Sequence, residues 1–169
     1  SPGLGLGFSM NDPNKPSVAL AGRAPAKVNS ISGTIIAGDA ITSSIIPGVG
    51  MKAIKAGQIV GKAFESTDHW NEQNCPVVSS FEAIPWPEDD GTNAAKPCFR
   101  VPVSSLDSQT REALFDQATP GDASGNSPEM PSHIYVGKIM VFVNVSWYDP
   151  DVYLTDTGDI AINDADGNP

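Results

Sequence analysis

The stretch Ile134-Tyr-Val-Gly-Lys-Ile-Met-Val-Phe-Val-Asn-Val-Ser-Trp-Tyr148 decides the fold of this chain. It is rich in β-branched and aromatic residues, which favour extended backbone. From Ile139 to Val143 every residue is apolar, so both faces of a strand there would need cover. The pattern therefore predicts a central strand that is packed on both sides.

Short apolar segments separated by glycine-containing turns fill the chain before this strand, between residues 17 and 64. Their close spacing favours a meander or a small barrel over β-α-β units. In the first of them, Pro25 cannot donate a backbone hydrogen bond, which predicts an edge position or a bulge. The segments are Val18–Val28, Thr34–Ile36, Ala40–Ile46, Val49–Ile54 and Gln58–Phe64.

The later part of the chain adds fewer regular elements. We expect one or two strands around Val77–Ile84, a further strand at Phe99–Val103 and a helix at Leu106–Gln117 with Ser105 or Asp107 as its N-cap. The fold class that follows is all-β or β-dominated, a small barrel or sandwich of short strands with one short helix.

The length and the turn composition favour one domain. We expect a leading segment at residues 1–16 without a strand of its own, and a single β-rich domain at residues 17–162. Within that domain, residues 66–97 form an irregular insertion and residues 119–132 a loop rich in Gly, Pro and Ser. Residues 163–169 are a polar tail.

Charge limits the classes of partner. The formal net charge of −10 repels polyanions, so nucleic acid is not an expected partner. No apolar run approaches the ~20 residues that cross a bilayer, so membrane insertion is not expected either.

Two sets of residues are candidates for a bond or a bound ion. Cys75 and Cys98 could form a disulfide across the acidic insertion, or could be two small buried side chains. Asp164, Asp166 and Asn168 place oxygen donors at alternating positions, as at the start of a calcium loop, but no distal glutamate follows them. A solvated polar tail is the other interpretation, and no cofactor is expected beyond this Ca²⁺ candidate.

Three aromatic residues, Trp70, Trp86 and Tyr148, could stack on a sugar ring, although packing in the core is the competing interpretation. Enzyme activity is not expected, because neither His69 nor His133 accompanies a nucleophile motif.

Four segments of the chain are distinctive together, through their order and spacing. They are Ala19-Leu-Ala-Gly-Arg-Ala-Pro-Ala-Lys-Val28, Gly38-Asp-Ala-Ile-Thr-Ser-Ser44, Pro47-Gly-Val-Gly-Met-Lys-Ala53 and Ile59-Val-Gly-Lys-Ala63. They resemble a β-domain of phage tail-fibre or appendage proteins and of large bacterial surface proteins. Further similarity lies in Met140-Val-Phe-Val-Asn-Val-Ser-Trp-Tyr148 and Tyr153-Leu-Thr-Asp-Thr-Gly-Asp159. The resemblance covers about half of the chain and leaves residues 69–132 unexplained.

The resemblance implies a domain that precedes a carboxy-terminal intramolecular chaperone region. We therefore expect a structural or assembly module of an extracellular fibre on a virion or cell surface, whose partners are copies of itself or neighbouring segments. A receptor- or glycan-binding domain on such a fibre is the alternative. A self-processing assembly domain is the third, with Ser9 and Lys15 as its only suggestive pair.

Overall fold

The computed structural model describes residues 2–6, 18–86, 98–118, 131–154, 157 and 159–162, with the backbone alone for 2–6, 18–20, 115–118 and 153–154. Strands dominate these residues, as the sequence predicts, and one α-helix, α1 (Ser108–Ala118), accompanies them. The strands are β1 (Pro2–Leu6), β2 (Val18–Asn29), β3 (Ala40–Ser43), β4 (Gly50–Lys52), β5 (Gly57–Ala63), β6 (Cys98–Pro102), β7 (His133–Tyr148), β8 (Val152–Leu154) and β9 (Ile160–Ile162).

Five of the strands pair in a closed ring. Among the described residues, β2 pairs with β4, β4 with β3, β3 with β5, β5 with β7, and β7 again with β2. All of these pairings are antiparallel except the single parallel contact of Val28 with Gly50 between β2 and β4. The remaining strands of this sheet, β1 and β6, extend it beyond the ring along β2 and β7. The architecture is thus a small barrel in which β2 and β4 are joined by a single residue pair, whereas the other neighbours pair over longer stretches.

Strand β7 is the centre of the sheet. One of its edges pairs with β2 from Val136 to Asn144, while the other pairs first with β6 and then with β5. Its odd-numbered residues Ile139 and Val141 pack inside the ring against Val28 and Ile41. The two-residue period of a strand thus puts the even-numbered residues from Ile134 to Phe142 on the outer face of the ring.

A second core covers part of that outer face. Ile134 and Val136 of β7 pack there with Phe99 and Val101 of β6 and with Leu114 of α1. The helix begins at Ser108, after Asp107, one of the two predicted N-cap residues; the Asp107 carboxylate accepts hydrogen bonds from the backbone and hydroxyl of Thr110. These bonds hold the pKa of Asp107 below its ordinary value.

Pro25 occupies an edge, as its missing donor predicts. Its partner Met140 directs both backbone polar groups away from β2, because the Met140 carbonyl accepts from Phe64 N–H and the Met140 N–H donates to Glu65. The ring nitrogen of Pro25 therefore faces the other edge of β2, where no described strand pairs between Gly22, which pairs with β1, and Val28, which pairs with β4. No ladder bond is lost, and a proline on this edge disfavours pairing with a foreign strand.

Three local expectations differ from the structure. The leading segment contains a strand after all, because β1 pairs antiparallel with β2. The segment Thr34–Ile36 is not a strand, because the backbone N–H and carbonyl of Ile35 both form hydrogen bonds with the Thr67 hydroxyl, 32 residues further along the chain. The segment Val77–Ile84 forms bends and turns with only an isolated bridge from Val77 to Arg100, because it follows the edge of β6 rather than extending the sheet.

Strands β8 and β9 form a separate hairpin. They pair with each other, with Val152 opposite Ile162, and with no described strand of the larger sheet. A two-stranded hairpin is only marginally stable in water by itself. This hairpin therefore gains from any further surface that covers it.

Gly61 is the point of closest approach between β5 and β7. It lies opposite Val143 beside an irregularity in the ladder. A Cβ atom built at this position collides with the carbonyl oxygen of Phe142 and lies 3.1 Å from a Val141 methyl group. Only glycine lets the two backbones approach in this way.

We expect Gly61→Ala to lower the free energy of unfolding by about 2 kcal/mol or more, because the backbone of β7 must shift. Chemical denaturation followed by circular dichroism measures the change. The matched control is Gly57→Ala in the same strand, where a Cβ meets nothing within 4 Å. Equal losses for the two variants would contradict the steric explanation.

Candidate functional site

The three longest strands of the ring carry positive charge in an acidic chain. Strands β2, β5 and β7 contain Arg23, Lys27, Lys62 and Lys138, and none of them contains an aspartate or glutamate. The chain as a whole has 20 acidic and 10 basic residues, so this distribution is strongly uneven. It creates a local positive potential on a molecule whose overall field is negative.

An exposed aromatic residue lies in the middle of this charge. In the sheet register Phe142 of β7 is flanked by Arg23 on β2 and by Lys62 on β5, and directly paired residues point to the same side. Phe142 is 43% exposed and packs edge-to-face with Phe64, which is 51% exposed, at 6.2 Å between ring centroids. We call Arg23, Lys62, Phe64 and Phe142 the basic–aromatic face.

Further apolar side chains near this face are also open to solvent. Val60 of β5 is exposed, as are Val145 and Trp147 at the end of β7. Trp147 is 69% exposed and lies opposite Gln58. Scattered exposed apolar residues need no explanation, but a contiguous group on one sheet region indicates an interaction surface.

Sequence reasoning missed this surface. The apolar run from Ile139 to Val143 indicates cover on both faces, and the cover provided by α1 and β6 reaches only the first half of β7. The alternation of polar and apolar residues from Asn144 to Trp147 indicates one solvated face, but it predicts that Val145 and Trp147 are buried, whereas both are exposed.

The three aromatic residues singled out from the sequence do not come together. Trp70 is buried in the ring interior, while Trp86 packs against Phe81 and Phe99 in the second core. Tyr148 packs against a third small cluster of Ala40, Ala53 and Ile59. Two of the rings form cation–π contacts with lysine side chains of the strands. Lys27 Nζ lies 4.5 Å from the centroid of the Trp86 ring, and Lys62 Nζ lies 5.7 Å from the centroid of the Tyr148 ring.

The candidate metal ligands Asp164, Asp166 and Asn168 lie outside the described residues, and so do Ser9 and Lys15. Within the part of the chain that the structure describes, no three His, Cys, Asp or Glu side chains gather closely enough to hold a metal ion. His69 lies beside Asp68, and His133 beside Ser132, both at exposed positions. No described helix is long and apolar enough to cross a membrane.

The two cysteines form a disulfide between the irregular insertion and the start of β6. Cys75 and Cys98 are 0% and 4% exposed, and their Cα atoms are 4.9 Å apart. Arg100 strengthens the same attachment, because its Nε donates to the Cys75 carbonyl and its guanidinium pairs with Glu72 at 2.9 Å. The disulfide thus fastens the insertion to the edge of the sheet.

We expect reduction, or the Cys75→Ala/Cys98→Ala variant, to lower the free energy of unfolding by about 3 kcal/mol, the entropic value for a loop of this length. The sequence separation of 23 residues sets that estimate. Denaturation with and without reductant measures the loss, and the double variant should no longer respond to reductant. An unchanged midpoint on reduction would contradict a structural role for the bond.

Comparison of the chain with protein-family models, characterised proteins and solved structures gives no match.

Proposed function

We propose that this chain is a structural and assembly module of an extracellular fibre or surface filament, and that it associates with copies of itself or with neighbouring segments of the same fibre. The observation that carries the proposal is the exposed basic–aromatic face on the strands that build the ring. Aromatic and arginine side chains are the residue types that most often anchor protein interfaces.

The small number of free strand edges in the described fold supports a mechanical role. The ring of five strands closes on itself, which removes most free strand edges. The remaining edge of β6 is covered by the Pro76–Val78 backbone, which exchanges hydrogen bonds with Arg100. Pro25 occupies the free stretch of β2, so association through side chains is favoured over strand addition.

The disulfide supports placement outside the cell. Disulfides persist in oxidising environments such as cell and virion surfaces and are rare in the cytosol. Both sulfur-bearing residues are buried, so reductants reach this bond poorly. The proposed function needs no cofactor and no catalytic residue.

Glycan binding on such a fibre is the second candidate. It rests on Trp147, whose largely exposed ring lies opposite Gln58, an amide that can hydrogen-bond a sugar hydroxyl. Trp70, Trp86 and Tyr148, which the sequence suggested for this role, are packed against other side chains instead.

We expect the protein to associate reversibly as its concentration rises, which sedimentation velocity over a dilution series measures. Phe142→Ser/Trp147→Ser should raise the dissociation constant about tenfold or more, because the anchors lose apolar contact area.

The matched control is Ile54→Ser/Val77→Ser, which removes two exposed apolar side chains elsewhere on the described surface and should leave association unchanged. A protein that stays monomeric at every concentration would contradict self-association. If it is monomeric while a glycan quenches the Trp147 fluorescence, the second candidate is favoured.

A further inference from the structure

The hairpin of β8 and β9 carries an uncovered aliphatic patch. Val152 and Ile162 are opposite each other in the hairpin register, and Ile160 follows on the same side by the two-residue period. Val152 is 41% exposed, Ile160 72% and Ile162 65%. The described part of the chain therefore leaves both this patch and the basic–aromatic face open.

The hairpin and the basic–aromatic face carry opposite charges. Residues 149–169 contain six aspartates and no lysine or arginine. Asp151 and Asp159 are exposed at the hairpin, one directly before β8 and the other directly before β9. On the basic–aromatic face, Phe142 lies between Arg23 and Lys62, and the carboxylate of Glu65 at its edge accepts a hydrogen bond from Met140 N–H. The centre of the face is thus basic, whereas the hairpin is acidic.

We propose that the β8–β9 hairpin of one copy docks on the basic–aromatic face of a second copy. Aliphatic side chains would then pack on Phe64 and Phe142, while Asp151 and Asp159 would approach Arg23 and Lys62. This inference rests on the proposed assembly function and names the surfaces that perform it.

The geometry of such a contact determines the kind of assembly. The two surfaces belong to different parts of the chain, so the contact is heterologous, and a pair of copies keeps a free face on one copy and a free hairpin on the other. Heterologous contacts form rings when the rotation closes and filaments when it does not. A head-to-tail contact of this kind extends a filament without needing a second interface. Because the face is basic and the hairpin acidic, a pairing of face with face or of hairpin with hairpin would bring like charges together, which disfavours both.

The test uses charge exchange in the full chain. Arg23→Glu/Lys62→Glu alters the face, and Asp151→Lys/Asp159→Lys alters the hairpin. Each variant alone should associate at least about tenfold more weakly than the wild type in sedimentation velocity, because like charges then meet. An equimolar mixture of the two should recover association, since each supplies the surface that the other lacks.

Two controls separate this result from misfolding and from net charge. Lys55→Glu/Arg111→Glu changes the net charge by the same amount as the face variant Arg23→Glu/Lys62→Glu, but at exposed positions outside both surfaces. It should associate like the wild type. Ile160→Ser/Ile162→Ser changes the hairpin without altering any charge, and it should also weaken association. Circular dichroism should show the same strand content for all variants.

The outcomes distinguish this inference from the proposed function. If the wild type associates and neither charge exchange weakens that association, the hairpin–face contact is overturned, whereas the proposed assembly role is not. Loss with the face variant alone, while both hairpin variants associate normally, shows that another acidic surface occupies the face and also overturns the inference. Failure of the mixture to recover association shows that the two altered surfaces do not meet each other, and this outcome also overturns the inference. A wild-type chain that never associates contradicts self-association as a whole, and the hairpin–face contact with it.

Discussion

The pairing of β7 on both edges is the constraint on which the rest of the structure depends. It fixes β2 along one edge and β6 followed by β5 along the other, and these pairings close the ring. Because alternate residues of β7 face opposite sides, the same strand also supplies the ring interior through Ile139 and Val141 and the second core through Ile134 and Val136. A shift of register by one residue would exchange these two sets of side chains, so packing specifies the register strongly.

The same strand explains why a stable core and an open surface coexist in so small a chain. The helix and β6 cover the outer face only where β7 begins, and beyond Met140 that face is solvated. Gly61 lets β5 approach β7 closely at this point, and the ladder continues to Tyr148 with exposed side chains between. The surface that we propose for assembly is thus the uncovered continuation of the face that forms the second core.

Apolar periodicity predicts the strands whose stability comes from burial, and here β2, β5, β6 and β7 all lie close to their expected positions. Local chemistry likewise limits the cap of α1 to Ser105 or Asp107 and the position of Pro25 to an edge or a bulge, and the structure shows Asp107 and an edge. The same reasoning fails where a tertiary contact decides, as at Ile35, which Thr67 holds, and along Val77–Ile84, which follows a neighbouring edge. Of the candidate sites, the cysteine pair could be named from the sequence because it needs only two residues. The basic–aromatic face could not, because it depends on the register of three strands that are distant in sequence. The likeness to fibre proteins and the role that it implies stay predictions.

The disulfide has a consequence for the outcome of proteolysis. Every peptide bond between Cys75 and Cys98 lies within the loop that the disulfide closes. A protease that cleaves any one of them produces two fragments that remain covalently joined, and the strands on either side stay in the same molecule. A nicked copy therefore keeps its covalent continuity, and the cleavage becomes visible only when the fragments are separated under reducing conditions.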